Sequence, residues 1–167
     1  MKPESFELDS YCGLYCGACE ILNLYRRCLD RGGTAQWESL PNPVRDNIPR
    51  AEVLCHGCRT DVVFQGCRGC RIRECARKKA VRACPECSDF PCEFVRALRE
   101  RLPASRNILP HTEAIFGNID IAADRGLEAW IEQQRKQWEC PGCGEPFTWY
   151  QERCRGCGKD LRTVRGY

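Results

Sequence analysis

The chain is short of the residues that ordinarily build a protein core. Leucine, isoleucine, valine and phenylalanine together supply 33 of its 167 residues. That share lies at the border below which chains fail to bury enough apolar surface to fold. Histidine is scarce, with two in all. No acid–base pair, Ser-His-Asp set or phosphate-binding loop can be recognised, which removes the usual constellations of a catalytic site. No apolar run approaches the roughly 18 residues of a membrane span, and the opening MKPESFELDS has no basic region followed by an apolar stretch, so neither membrane insertion nor a signal peptide is expected. The length allows one or two small domains and is too short for a full barrel enzyme. A cytoplasmic location follows, in which thiols stay reduced.

What the chain has in abundance is cysteine, sixteen residues. Six pairs stand as Cys-x2-Cys: Cys16/Cys19, Cys55/Cys58, Cys67/Cys70, Cys84/Cys87, Cys140/Cys143 and Cys154/Cys157. Such pairs converge on one metal ion. A single pair near a β-α-β pattern would suggest a redox site, whereas six without that pattern point to metal. The formal charge of +3 invites a nucleic-acid reading. Residues 59–106 strengthen it, with twelve Lys or Arg against six Asp or Glu. Metal loading reverses the sign: ionising sixteen thiols takes sixteen units from +3 and four divalent ions return eight, leaving −5. Arg68, Arg71, Arg73, Arg77, Lys78, Lys79 and Arg82 are therefore read as local partners of thiolate sites. A protein partner is expected rather than DNA or RNA, and no alternation of aromatic and basic residues suggests a stacking platform.

The first cysteines, Cys12, Cys16 and Cys19, have the Cys-x3-Cys-x2-Cys spacing of radical enzymes. Only eleven residues precede them, Ala18 stands where an aromatic is usual, and no β-α repeat follows, so the likeness is one of spacing alone. A helix is expected from Gly17 to Leu29 with Ile21, Leu22, Tyr25, Cys28 and Leu29 on its apolar side, ended by Gly32-Gly33. Cys28 on that stripe reads as a small buried hydrophobe. After a proline-broken stretch and the knuckle Cys55-His56-Gly57-Cys58, a short repeat appears: Cys67/Cys70/Cys75 and Cys84/Cys87/Cys92 share the spacing Cys-x2-Cys-x4-Cys at an offset of 17 residues. Each triplet needs a fourth ligand, for which Cys28 and His56 are open candidates, and spacing does not say how the thiols are shared. His111, as a lone histidine, is read as a surface or satisfied residue. Helical patterns follow through Phe94–Leu102, stopping at Pro103, then around 113–123 and 127–138, with Trp130 and Trp138 as packing residues.

The last segment, CPGCGEPFTWYQERCRGCG, gives Cys-x2-Cys-x10-Cys-x2-Cys around the β-prone Phe147-Thr148-Trp149-Tyr150. It predicts a zinc ribbon in which Cys140, Cys143, Cys154 and Cys157 close a tetrahedral site with no position left for water or substrate. The expected fold is a small, α-rich, irregular, metal-stabilised Cys-rich domain followed by a short β zinc ribbon. The expected divisions are a Cys-rich domain over 1–110, a helical connector packing on it over 111–138, and the ribbon over 139–167. A structural zinc site contributes on the order of 10 kcal/mol to folding, so chelation or acid is expected to unfold the N-terminal part.

The stretches CGLYCGAC, CHGCR, CRGCRIRECARKKAVRACPECSDFPCEF and GLEAWIEQQRKQWECPGCG resemble the prokaryotic Cys-rich family called domain of unknown function 3795, a resemblance that covers most of the chain, from about residue 11 to residue 157. The resemblance implies a small metal-binding Cys-rich domain, often with a C-terminal ribbon, and no established activity. Its pattern matches Cys12, Cys16, Cys19, Cys55, Cys58, Cys67, Cys70, Cys75, Cys84, Cys87 and Cys92, and not Cys28. The functional expectation is a zinc-binding protein, holding several ions, that acts as a non-catalytic binding or scaffold module. The alternatives are an iron–sulfur protein for electron transfer or sensing, with a cluster in the N-terminal region, and a nucleic-acid-binding zinc protein.

Overall fold

The computed structural model describes residues 5–105 and 107–165. Met1 to Glu4 and Arg106 of the expected Cys-rich domain, and Gly166 and Tyr167 of the expected ribbon, lie outside the described residues. Seven α-helices occur among the described residues: α1 (Glu20–Asp30), α2 (Asn42–Asn47), α3 (Gln65–Arg68), α4 (Arg71–Lys78), α5 (Glu93–Ser105), α6 (Ala114–Arg125) and α7 (Leu127–Gln137). The anticipated helix boundaries shift by a few residues. The first begins at Glu20, because the preceding Cys16–Ala18 forms a 3-10 turn, and α5 runs two residues past Pro103. No described helix is long and apolar enough to cross a membrane.

The expected β ribbon is not there. Among the described residues the C-terminal segment contains two isolated antiparallel bridges, Glu139 with Pro146 and Arg153 with Asp160, and no strand. The reason lies in where the β-prone stretch sends its amides. Phe147 N–H donates to the Trp138 carbonyl (2.9 Å) and so closes the Glu139–Pro146 bridge, but Trp149 N–H turns away to the Ala18 carbonyl (3.1 Å). Tyr150 N–H donates to the Glu20 carboxylate (2.7 Å). A backbone whose donors are used by other elements cannot also build a hairpin ladder.

Burial follows the same path. One apolar cluster joins Tyr15 and Ala18 of the first cysteine loop, Leu127, Trp130 and Trp138 around α7, and Cys140, Phe147, Trp149, Cys154 and Leu161 of the C-terminal segment. A second places Ile21, Leu22 and Leu24 of α1 against Trp37, Leu40, Val44, Val53, Cys55 and Phe64. Smaller clusters under α4 and α5 include Ile72, Ala76, Val95, Ile115 and Ile119. Cys28 packs at the edge of the second cluster.

Polar side chains fasten α6 and α7 to the first loop. Asn118 donates to the Gly13 carbonyl (2.8 Å). Gln134 donates to Asn118 Oδ1 (3.0 Å), and Trp138 Nε1 donates to Gln134 Oε1 (3.3 Å). Satisfied buried amides of this kind fix one arrangement of the elements that they join.

Two backbone positions explain turns near the thiols. Gly57, inside the Cys55/Cys58 knuckle, has φ +118°, and a Cβ there would lie 1.9 Å from the Glu7 carbonyl oxygen. Ala80, after α4, has φ +54°. Its N–H reaches the Arg77 carbonyl (3.2 Å), and the Val81 N–H reaches the Ala76 carbonyl (3.1 Å). This is the Schellman closure that reverses a chain at a helix end.

Candidate metal centres

The C-terminal site is built from two matching turns. In the first, Cys143 N–H and Gly144 N–H return to the Cys140 carbonyl (3.2 and 2.8 Å); in the second, Gly158 N–H returns to the Cys154 carbonyl (2.9 Å). The two loops bring Cys140, Cys143, Cys154 and Cys157 together, all four sulfurs lying within 4.8 Å of one another. Cys140 Sγ is 3.6 Å from Cys157 Sγ, and Cys143 Sγ is 3.5 Å from Cys154 Sγ. Four thiolates bound at about 2.3 Å around a tetrahedral ion stand about 3.8 Å apart, so the arrangement matches a single ion of that kind.

Amides complete it. Gly142 N–H points at Cys140 Sγ (3.4 Å). The N–H groups of Cys157 and Gly156 and the thiols of Cys143 and Cys140 lower the Cys154 pKa, while the neighbouring Cys143 thiol is raised, because donors aimed at a sulfur favour its ionised form and a proton shared among the four is held by one of them. Gly142 and Gly156 leave room for the sulfurs: a Cβ would sit 3.3 Å from Cys157 Sγ at the first and 3.2 Å from Cys143 Sγ at the second. Cys140 and Cys154 are buried, and Cys143 and Cys157 are exposed.

A second concentration of sulfur gathers seven cysteines from three stretches of chain. Cys16 is within electrostatic reach of Cys58, Cys19 and Cys55. Cys67 is within reach of Cys55, Cys70 and Cys12. Burial pushes these thiols up, that of Cys58 to about 12 and that of Cys67 to about 11, with Cys12, Cys16 and Cys19 moved in the same direction for the same reason. Neutral thiols are what an apolar pocket favours; a metal cation is the partner that would ionise them, releasing protons as it binds. The first amides of α1, those of Ile21 and Leu22, face Cys19 and favour its thiolate. Among the described residues, the C-terminal quartet is the group of cysteine, histidine or carboxylate donors that comes within 4.8 Å throughout.

The remaining thiols are those of Cys28, Cys75, Cys84, Cys87 and Cys92. His56 has its ring beside Phe6 (5.1 Å between centroids) and stacked on Tyr25 (5.5 Å). The basic residues of the central stretch have local contacts. Arg73 donates to the Cys58 and Thr60 carbonyls (2.9 and 2.7 Å), Arg77 pairs with Asp61 (2.6 Å), and Arg71 lies over the Phe94 ring.

Sequence reasoning missed the seam between the first loop and the C-terminal segment. Glu20, the first residue of α1, is 5 % exposed. Its pKa is raised by burial, against the lowering effect of the Tyr150 amide among other donors. His111 is buried, as a satisfied histidine. It stacks on Trp149 with 3.8 Å between ring centroids, and its Nδ1 shares a 2.7 Å hydrogen bond with the Tyr150 hydroxyl. Neither residue carries a sequence signal, since each partner lies far along the chain.

A helical, thiol-dense fold with one tetra-cysteine group spaced for an ion defines the chain as a Cys-rich protein with a candidate metal site. Residues 8–97 match the family described as protein of unknown function (DUF3795), and the chain belongs to that family. Neither a curated protein nor a solved structure matches it.

Proposed function

We propose that this is a zinc-binding protein without a reaction of its own, whose metals hold a core-poor chain in a shape suited to binding another protein. The observation that carries the reading is the C-terminal quartet, whose sulfurs stand 3.5 and 3.6 Å apart in facing pairs. Four thiolates on one ion leave no coordination position for substrate, which gives that ion a structural role. Zinc suits an all-sulfur tetrahedral set in a reducing compartment. The partner is read as protein because the metal-loaded charge opposes nucleic acid. Salt-sensitive retention of DNA or RNA by the holoprotein would reverse that choice.

An iron–sulfur reading is favoured at one place, the seven-thiol group. It holds more cysteines within electrostatic reach of one another than a single tetrahedral ion accepts, and clusters are held by cysteine thiolates. Protein purified without oxygen and analysed for zinc, iron and sulfide tests both. Colourless protein with several zinc ions supports zinc throughout. Brown protein with iron and sulfide in equal amounts assigns the seven-thiol group to a cluster, and protein devoid of metal refutes the proposal.

A further inference from the structure

The repeated triplets suggest by spacing that Cys75 belongs with Cys67 and Cys70. The fold separates it from them. Cys67 precedes α3's end and Cys70 caps the start of α4, whereas Cys75 lies in the second turn of α4. The reversal at Ala80 brings the chain back beside that helix, with Val81 bonded to Ala76. The next cysteines are delivered by the 3-10 turn Cys84–Glu86 and by the segment leading into α5.

The result is a hollow between α4 and α5 whose wall contains Cys75, Cys84, Cys87 and Cys92, backed by Ile72 and Phe94. Lys79 also lines it, with Nζ 3.7 Å from Cys87 Sγ. We infer that Cys75, Cys84, Cys87 and Cys92 form a separate four-thiolate centre for a thiophilic metal, the fourth ligand of the second triplet being borrowed from the first.

Three observations support the grouping. All four residues border one hollow, and no other cysteine does. Lys79, which pairs with Asp89, also stands beside one of the sulfurs, where a cation shared with that carboxylate offsets part of the negative charge of a four-thiolate set. Cys84 is within electrostatic reach of Cys92, Cys75 and Cys87. The strongest such neighbour of Cys84 is Cys12, but Cys12 lies outside the hollow, has Ser10 Oγ 3.5 Å from its sulfur, and faces Cys70 and Cys58. It therefore belongs with the seven. The sixteen cysteines divide into the C-terminal quartet, this quartet, the seven and Cys28.

The inference rests on the reading of the chain as a metal–thiolate protein, and its test is separable from that reading. Full-length holoprotein, kept free of oxygen, is treated with increasing chelator and a thiol-alkylating reagent, while released metal is measured and labelled cysteines are mapped by mass spectrometry. Cys75, Cys84, Cys87 and Cys92 should become labelled together, in step with the loss of one centre. Release of a single ion identifies a mononuclear site, and release of iron with sulfide identifies a cluster; either supports the grouping. Labelling of Cys75 in step with Cys67 and Cys70 would overturn it, as would labelling of the four without metal release. The wider reading fails differently: Cys140, Cys143, Cys154 and Cys157 would then be labelled before any chelator is added. As a second arm, Cys75→Ser and Cys92→Ser should each remove one centre and the double variant no more than one. Loss of two centres from the double variant refutes the assignment.

Discussion

Replacing His111 with phenylalanine should weaken the protein near neutrality and, at the same time, make it less sensitive to mild acid. The ring is 7 % exposed, and phenylalanine can retain the stack on Trp149. The variant loses the hydrogen bond to Tyr150, and leaving that half-buried hydroxyl without its partner costs about 1–2 kcal/mol. The acid effect has the opposite sign. Burial lowers the His111 pKa from 6.5 to about 4, so the unfolded chain takes up a proton at a pH where the folded chain refuses it. Stability from this residue is complete above pH 6.5, falls as pH drops through the window down to about 4, and amounts to roughly 3 kcal/mol across that window. At about pH 5.5 the wild type has lost roughly 1 kcal/mol of this contribution, which the phenylalanine variant never had. Denaturant unfolding of both proteins at about pH 7.5 and about pH 5.5 reads the difference directly. Thiolate protonation and metal release act on both proteins and cancel in the comparison. The gap between them should shrink by about 1 kcal/mol at the lower pH. A gap that is unchanged or wider there would refute the reasoning.

Gly57→Ala should be severely destabilising, by more than about 2 kcal/mol, because it sets a methyl against the Glu7 carbonyl in a backbone region that L-residues rarely adopt; urea unfolding checks it, and a near-neutral result would place Glu7 elsewhere. Ala80→Gly should stabilise the metal-loaded protein by about 1 kcal/mol, since glycine occupies φ +54° without the steric cost of a Cβ; a lower midpoint in the same assay would contradict the turn. Asn118→Ala should cost about 2 kcal/mol or more by leaving the Gly13 carbonyl and Gln134 without their partner, seen as a lowered unfolding midpoint at constant metal content. Stripping metal from the C-terminal quartet should shift tryptophan emission to the red, because Cys140 and Cys154 are packed in the same cluster as Trp130, Trp138 and Trp149; unchanged emission from demetallated protein would show that this core stands without the ion.

Some of this was legible in the residues. The spacing of Cys140, Cys143, Cys154 and Cys157 predicted their convergence, since two-residue knuckles separated by ten residues leave a chain little else to do with its thiols. The periodicity around α1, α6 and α7 marked those helices because their apolar positions recur at 3.6 residues. The ribbon expectation failed because β propensity at Phe147–Tyr150 describes side chains suited to a half-buried surface. That surface turned out to be the first cysteine loop and not a neighbouring strand. The sharing of the remaining thiols was hidden for a related reason. A repeat in sequence suggested equal units, while the reversal at Ala80 carries the chain away from Cys70 and back beside Cys75. Glu20 and His111 had no local signature, because what makes each of them buried arrives 130 and 39 residues later, respectively.

The seam at Ala18 and Glu20 also bears on the order of events during synthesis. The carbonyl of Ala18 and the carboxylate of Glu20 flank Cys19, and their amide partners are Trp149 and Tyr150. The loop carrying the first thiol triplet is thus made early by the ribosome and completed late. Until Tyr150 has emerged, Tyr15 and Ala18 lack the apolar cover of Phe147 and Trp149. A nascent chain that has already displayed the twelve cysteines of the matched family region therefore presents Cys12, Cys16 and Cys19 in an unfinished loop, and the segment around Trp149 and Tyr150 acts as the latch that closes it.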